Sequence, residues 1–382
     1  MAIHWLKSKF NAEVVTVTVN VGQEDDFSEI ENRARKLGVL KHYTIDARDE
    51  FANGPIASAI MLNALYEDKY PLGTALARPL IAEKVIEIAK KEDCDAVAHG
   101  STSKGNDQVR FEEAIKAMAP DLTIIAPARI WGMDRKTEVE YARKNNIPIP
   151  EVHSRFSIDD NLWTRSIEGP ELDDAMIEPP EDAFKWTVNP SKVNEPLKLE
   201  IEFKNGLPVA VNGERMRLSE LILALNKLVG SHGYGRVDHV ENRVVGFKSR
   251  EVYEAPAALT LIEAHRDLEK IVYTPMEYRF KKLMDQAWTD LIYQGLWHEP
   301  LRIELEEAAR SMNKWVTGTV KLIVRGGLTI VGRSSPYASY SKEVADYVKG
   351  WYPSDEEARG FISMWTLHSL TAYRVRWGSG VS

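Results

Sequence analysis

The chain has 382 residues, room for two domains with a core each. Its 57 acidic and 49 basic residues leave a formal charge of -8, which argues against broad nucleic-acid binding but not against a local basic pocket for an anionic ligand. One cysteine, Cys94, allows no internal disulfide, and no apolar run approaches the ~18 residues of a membrane span, so the expectation is a cytoplasmic protein with neither a membrane nor a nucleic-acid partner.

Met1 to Lys7 has no signal-peptide layout and reads as the middle of an amphipathic helix. Glu13 to Val19 is short and β-branched, a strand. Phe27, Ile30, Ala34 and Leu37 fall at helical spacing, and Gly38 closes that helix. His42 to Asp46 predicts a strand and Ala57 to Leu65 a helix. Pro79 is placed near the start of the next helix, where its missing N–H matters little, and Leu80 to Ala89 carries the apolar face. Ala96 to His99 is a strand. Phe111, Ala114, Ile115 and Met118 form a helical stripe, Leu122 to Ala126 a strand, and Thr137 to Lys144 a helix. This rhythm indicates parallel βαβ units, an α/β domain whose ligands bind beyond the carboxyl ends of the strands.

Pro148, Pro150, Pro179, Pro180 and Pro190 mark an extended crossing. The pattern then changes to α+β. Leu197, Leu199, Ile201 and Phe203 alternate with charged residues as in a half-buried strand, and Asn205-Gly206 supplies a hairpin turn. Helices are predicted at Leu218 to Val229, Ala257 to Val272 and Phe280 to Tyr293, and a second hairpin at Thr317 to Arg333. The tail from Ser341 is helical and carries Trp351, Trp365 and Trp377, a docking face for a sister subunit.

Four segments carry candidate chemistry. In the first, a buried strand ends at His99, a small-residue loop follows (Gly100-Ser101-Thr102-Ser103-Lys104-Gly105), and a helix starts near Asn106. Glycine loops and helix N-termini bind anions through unpaired N–H groups. Asn106 and Arg110, four apart, share a face. Capping alone would account for Asn106 or Asp107, not for the polar density from Lys104 to Arg110. The second segment is the Tyr70-Pro71-Leu72-Gly73-Thr74 turn and its continuation to Pro79. The third runs from Phe156 to Gly169, polar and irregular in spacing. The fourth packs charges of both signs between β-like residues, Gly235 to Arg243 and Lys248 to Glu254. No histidine pair has zinc-ligand spacing, and His99 and Cys94 read as structural.

Together these segments resemble argininosuccinate synthases. The motifs are Tyr70-Pro-Leu-Gly-Thr-x-Leu-Ala-Arg-Pro, His99-Gly-x-Thr-x-Lys-Gly-Asn-Asp-Gln-Val-Arg-Phe, Ser157-Ile-Asp-x-Asn-Leu-Trp, and Val240-Glu-Asn-Arg through Lys-Ser-Arg-x-x-Tyr-Glu. The resemblance implies an adenine nucleotide alpha hydrolase-like parallel-sheet domain over 1–155, an α+β synthetase and multimerisation domain over 156–340, a helical oligomerisation tail over 341–382, and a homotetramer. It implies a two-step ligation. ATP, with Mg2+, adenylates the ureido oxygen of citrulline and releases pyrophosphate. The amine of aspartate then displaces AMP to give argininosuccinate. Matching by motif assigns Tyr70, Asn106, Arg110, Ser157, Ser166, Glu241 and Tyr253 to citrulline, Thr102, Asn106 and Asp107 to aspartate, and Val19 and Gly100 to ATP. Asp107 and Asn106 are the catalytic pair on this basis.

The sequence departs from the family pattern in three places. Relatives carry an Ala-Tyr-Ser-Gly-Gly-Leu-Asp-Thr-Ser phosphate loop just before a helix like Ala2 to Lys9, and Met1 falls at its expected end. A misplaced start is the expectation. The alternative is a truncated or non-catalytic homologue acting as a ligand-binding, oligomeric protein. Without the strand that leads into this loop, the parallel sheet is expected to keep an unpaired interior position. Ala75 stands where relatives have a citrulline-contacting Ser, and Ser103 replaces a Gly and would resist a positive φ.

Overall fold

Short β-branched runs and the helices between them build the first part of the chain. The structure, a computed structural model, describes residues 1–132, 135–147, 155–346 and 353–378; Pro148, Pro150 and Trp351 lie outside the described residues. Helix α1 (Ala2–Phe10) precedes strand β1 (Val15–Asn20), α2 (Phe27–Lys36) and β2 (Lys41–Asp46). Then come α3 (Arg48–Phe51), α4 (Ala57–Met61), α5 (Gly73–Lys91), β3 (Ala96–Ala98), α6 (Asp107–Met118), β4 (Thr123–Ile125), α7 (Pro127–Trp131) and α8 (Arg135–Lys144). Parallel pairing needs crossovers, and α2 and α6 supply them: β1 pairs with β2 and β3 with β4. The two pairs are separate sheets among the described residues. Helix α5 packs against β1 and β3 and bridges them.

Two helical expectations need correction. The helix placed at Ala57 to Leu65 is part of an earlier run: α3 passes through a π-helical turn at Ala52–Ile56 into α4 and stops at Met61. Gly54-Pro55 argues against a helix by propensity, and the wide turn absorbs the missing Pro55 N–H. Pro79 does not sit near a helix start. Helix α5 begins at Gly73, so Pro79 is interior, and the Tyr70–Pro79 motif is mostly helix. Gly73 is required by close approach: a Cβ there would lie 1.8 Å from Thr164 Oγ1.

The remainder of the first compact unit, Met1–Tyr337, is antiparallel. Strands β5 (Ser157–Asp160) and β6 (Arg165–Glu168) lie in the segment that reads as irregular. Strands β7 (Leu197–Lys204), β8 (Leu207–Val211) and β9 (Glu214–Arg215) precede α9 (Leu218–Gly230). Asn205 and Gly206 take φ of 52 and 81 degrees, the paired left-handed geometry of a two-residue hairpin. Strands β10 (Arg236–Asn242) and β11 (Lys248–Glu254), helices α10 (Pro256–Val272), α11 (Pro275–Tyr293) and α12 (Pro300–Asn313), and strands β12 (Gly318–Val324) and β13 (Leu328–Ser334) complete it. The sheets are ordered β10-β11-β6-β5 and β13-β12-β7-β8-β9. Helix α12 escapes the sequence reading because its buried stripe is Glu306, Ala309 and Asn313, whereas Leu301 and Ile303 are exposed.

One core joins both parts: Phe51, Ile60 and Leu76 pack with Leu199, Leu261 and Trp288. Into it is set a charged cluster. Lys281, fully buried, pairs with Glu269 at 3.1 Å and with Asp285, and Asn63 Nδ2 donates to both carboxylates at 2.9 Å. The second unit, Ala338–Ser382, contains α13 (Asp355–Trp377), started by a Ser354/Glu357 capping box and bearing exposed Phe361, Trp365, Leu370 and Trp377.

Removing one partner of a buried ion pair strands the other charge. Lys281→Met is therefore expected to lower unfolding free energy by about 3–5 kcal/mol in urea titrations at pH 7. A loss below about 1 kcal/mol would show that the cluster is not held by its charges.

Candidate active site

The site is built from an antiparallel sheet and a helix end. Residues opposite one another on a ladder point to the same face. The register aligns Asp159, Ser166 and Tyr253 in one row and Ser157 with Glu168 in the next; Glu251 opposes His239 and Ser249 opposes Glu241. All of these share the face of the β10-β11-β6-β5 sheet that lines the cleft. The alternate positions Ile167 and Val252 pack with Phe156, Leu172 and Ala183 behind it. The spacing that reads as irregular is thus a two-sided strand with polar residues toward a ligand. The β5–β6 turn is fastened to the parallel part: Trp163 Nε1 donates to the Pro71 carbonyl at 2.8 Å and Leu162 N to that of Val21 at 2.8 Å. Across the cleft, α6 presents its N-terminus.

A cavity of about 410 Å³ lies between these surfaces. Ten of the eleven site residues expected from sequence line it: Tyr70, Gly100, Thr102, Asn106, Asp107, Arg110, Ser157, Ser166, Glu241 and Tyr253. Val19 does not; it is buried near the end of β1. A larger cavity of about 530 Å³ opens elsewhere, beside Asn63, Glu269 and Asp285, away from the converging motif residues. Ser103 needs no positive φ, so the strain expected in its loop is absent. His99 accepts from Ser101 N at 3.3 Å and stacks on Phe111.

Asn106 holds the N-cap position of α6 yet makes no capping bond. Its Nδ2 donates to the Tyr293 hydroxyl at 3.1 Å, and its Oδ1 accepts from Val244 N at 3.2 Å. Asp107 accepts from Arg78 Nε at 2.9 Å and from Arg110 Nη1 at 3.0 Å. Burial raises the Asp107 carboxyl, but the two guanidinium groups outweigh burial and hold it below the ordinary range. Asp159 also accepts from Arg78, yet burial keeps it above the ordinary range. Glu241, 3% exposed, accepts from Tyr253 at 2.8 Å and from Tyr293 at 2.6 Å. Burial raises its carboxyl against both hydroxyls. Tyr70 stacks on Tyr253 with ring centroids 4.4 Å apart, and burial pushes its hydroxyl up to about 12.

Sequence reasoning assigned no role to Arg78, Asp159, Glu168, Arg243, Glu251 or Tyr293. Arg243 bridges Glu168 and Glu251 and donates to Ser249 Oγ at 2.5 Å. Burial, then the Glu251 charge, pushes Glu168 up to about 7. The alternation of β6 and β11 could have found Glu168 and Glu251. Nothing local marks Tyr293. The assembled cleft offers an ionisable carboxylate for an ammonium group, arginine for a carboxylate, and an uncapped helix end for an anion.

Comparison with known proteins gives the family. Residues 1–148 match the family described as the arginosuccinate synthase N-terminal HUP domain, and residues 156–372 the arginosuccinate synthase C-terminal domain. Argininosuccinate synthases of Pyrobaculum aerophilum, Hyperthermus butylicus and Saccharolobus solfataricus are 64%, 63% and 62% identical to the chain. The alignments cover 98%, 96% and 98% of this chain and 96%, 94% and 96% of those proteins. By both of its domains and along nearly its whole length, the chain belongs to the argininosuccinate synthase family.

Proposed function

We propose that the protein condenses citrulline with aspartate at the expense of ATP. The ureido oxygen of citrulline attacks the α-phosphorus, forming an O–P bond as pyrophosphate leaves. The aspartate nitrogen then attacks the ureido carbon, and the C–O bond to AMP breaks with its electron pair. The aspartate ammonium must lose its protons to solvent for this step. The observation that carries the reading is the convergence of ten motif residues, drawn from separated segments, on one cavity.

Citrulline is held by Tyr70, Asn106, Arg110, Ser157, Ser166, Glu241 and Tyr253, with Glu241 taking its ammonium and Arg110 its carboxylate. Aspartate is held by Thr102, Asn106 and Asp107. An Asp107 kept ionised by two arginines is a poor base and a good anchor, so its part in catalysis, with Asn106, is to orient the amine. Gly100 faces ATP with its backbone; a Cβ there would meet nothing within 4 Å. Val19 abuts the adenine. Mg2+ would arrive with the nucleotide and would neutralise charge on its phosphates. The division of labour is nucleotide binding in 1–155, substrate recognition in 156–340 and assembly of a homotetramer through 341–382. The location proposed is the cytoplasm.

Pyrophosphate release that requires citrulline is the direct test. Release independent of citrulline, or none, rejects the reaction. Glu241→Gln is expected to raise the KM for citrulline about 10- to 100-fold, the worth of one hydrogen bond to a charged group.

Arg78→Met tests the anchor. Losing a cation raises the Asp107 pKa, so Asp107 protonates at higher pH and activity fails sooner as pH falls. The acid limb of kcat/KM for aspartate is expected to move up by about 1–3 pH units. An unmoved limb removes Arg78 from this role.

Deleting residues 341–382 is expected to convert four-chain particles into smaller ones in light scattering. An unchanged mass places the assembly surface elsewhere.

A further inference from the structure

Tyr293 closes α11 outside the cavity lining, yet it touches three of the groups proposed to bind citrulline. Its hydroxyl donates to Glu241 Oε1 at 2.6 Å and accepts from Asn106 Nδ2 at 3.1 Å. Its carbonyl accepts from Arg110 Nη2 at 3.1 Å, and the Arg110 guanidinium lies 5.4 Å from its ring centroid. The ring itself is fixed. It stacks on Tyr66 at 3.5 Å and 5 degrees, meets Tyr70 edge-on at 6.3 Å, and is 1% exposed.

This is more than filling of the core. A buried tyrosine needs one partner for its hydroxyl. Here the hydroxyl lies between an acceptor on β10 and a donor at the start of α6, while the backbone of the same residue holds the next turn of α6. A displacement of α11 would move Glu241, Asn106 and Arg110 together. Glu241 receives one hydroxyl on each oxygen, from Tyr253 and Tyr293, which fixes its plane. Its remaining lone pairs are left for an ammonium group.

We infer that Tyr293 is the positioning residue of the subsite for the amino-acid end of citrulline, holding Glu241, Asn106 and Arg110 in one fixed geometry. The inference rests on the citrulline assignment above. Tyr293 reaches the substrate only through these residues, so its effect falls on citrulline affinity. It also falls on the ionisation of Glu241, whose other charged or titratable neighbours are Arg110, Glu251, Arg243, Tyr66 and Tyr70. Burial raises the Glu241 carboxyl and the two hydroxyls oppose that rise. Without the Tyr293 hydroxyl the carboxyl rises further, and more of it is protonated at low pH.

The experiment is calorimetric titration of citrulline into the full chain between pH 6 and 8.5. Tyr293→Phe keeps the ring stack and removes the hydroxyl. Its affinity is expected to fall about 10- to 100-fold at pH 7, with the deficit shrinking as pH rises. In a Glu241→Gln background the same change is expected to add less than about twofold, because the partner charge is already gone. Should Tyr293→Phe melt early, fluorotyrosine in place of Tyr293 keeps the ring and hydroxyl and makes the hydroxyl a stronger donor. The pH dependence of citrulline binding then moves to lower pH. Equal affinity of Tyr293→Phe and the parent at every pH overturns the inference and leaves the citrulline site standing; so does an unmoved pH dependence with fluorotyrosine. A parent chain that does not bind citrulline overturns the site and the inference together.

Discussion

Arg78 is the tie on which the cleft depends. It lies on α5, in the part of the chain built around parallel strands, and pairs with Asp107 at the start of α6 and with Asp159 on β5. One planar guanidinium thus spans a helix end and the edge strand of the antiparallel sheet, and its several donors serve both carboxylates at once. The side chain is 16% exposed, so this attraction is less screened than that of a surface pair. The gap between α6 and the β10-β11-β6-β5 sheet is set in this way at a width that leaves a cavity.

The same pairings sort the carboxylates by role. Asp107 has two arginines and stays ionised; Asp159 shares one of them and is pushed up by burial. Glu241 has no arginine paired with it among the described residues and is served by two hydroxyls, so burial raises it too. Acidic groups in one cleft therefore differ in how readily they hold a charge. The anchor proposed for the aspartate ammonium must keep its charge when that ammonium arrives, and the two arginines beside Asp107 favour this. This follows from environment, because the residue types are alike.

Much of this was legible in the sequence, for identifiable reasons. Alternation placed β7, and Asn205-Gly206 placed its turn, because a two-residue hairpin demands left-handed φ at both positions. The loop from Gly100 and the start of α6 were legible because small and polar residues there serve no core. The polar strands β5 and β6 were not, since their cleft face is hydrophilic and resembles a linker until the register is known. Helix α12 was hidden by burying Glu306 and Asn313 in place of apolar residues. The continuity of the parallel sheet depends on which strands meet, a long-range fact that no local period encodes. Tyr293 was invisible as a site residue because it belongs to the buried stripe of α11, and only its hydroxyl leaves the core.

Three departures from local rules lie around the cleft. Leu72 takes a φ of 64 degrees just before α5, a conformation that bulky side chains avoid, between Tyr70 of the cavity and Gly73 against Thr164. Pro79 sits inside α5, next to Arg78. Asn106 occupies a cap position and does not cap, although a cap is worth about 1 kcal/mol. Two of them have a counterpart in the site. The bend at Leu72 aims Tyr70 at Tyr253, and the uncapped end of α6 leaves its first N–H groups open to an anion while the Asn106 amide fixes Tyr293 and Val244. A sequence chosen only for stability would cap α6 and straighten the approach to α5. That this chain does neither is the physical mark of a site whose geometry is held against local preference by the contacts around it.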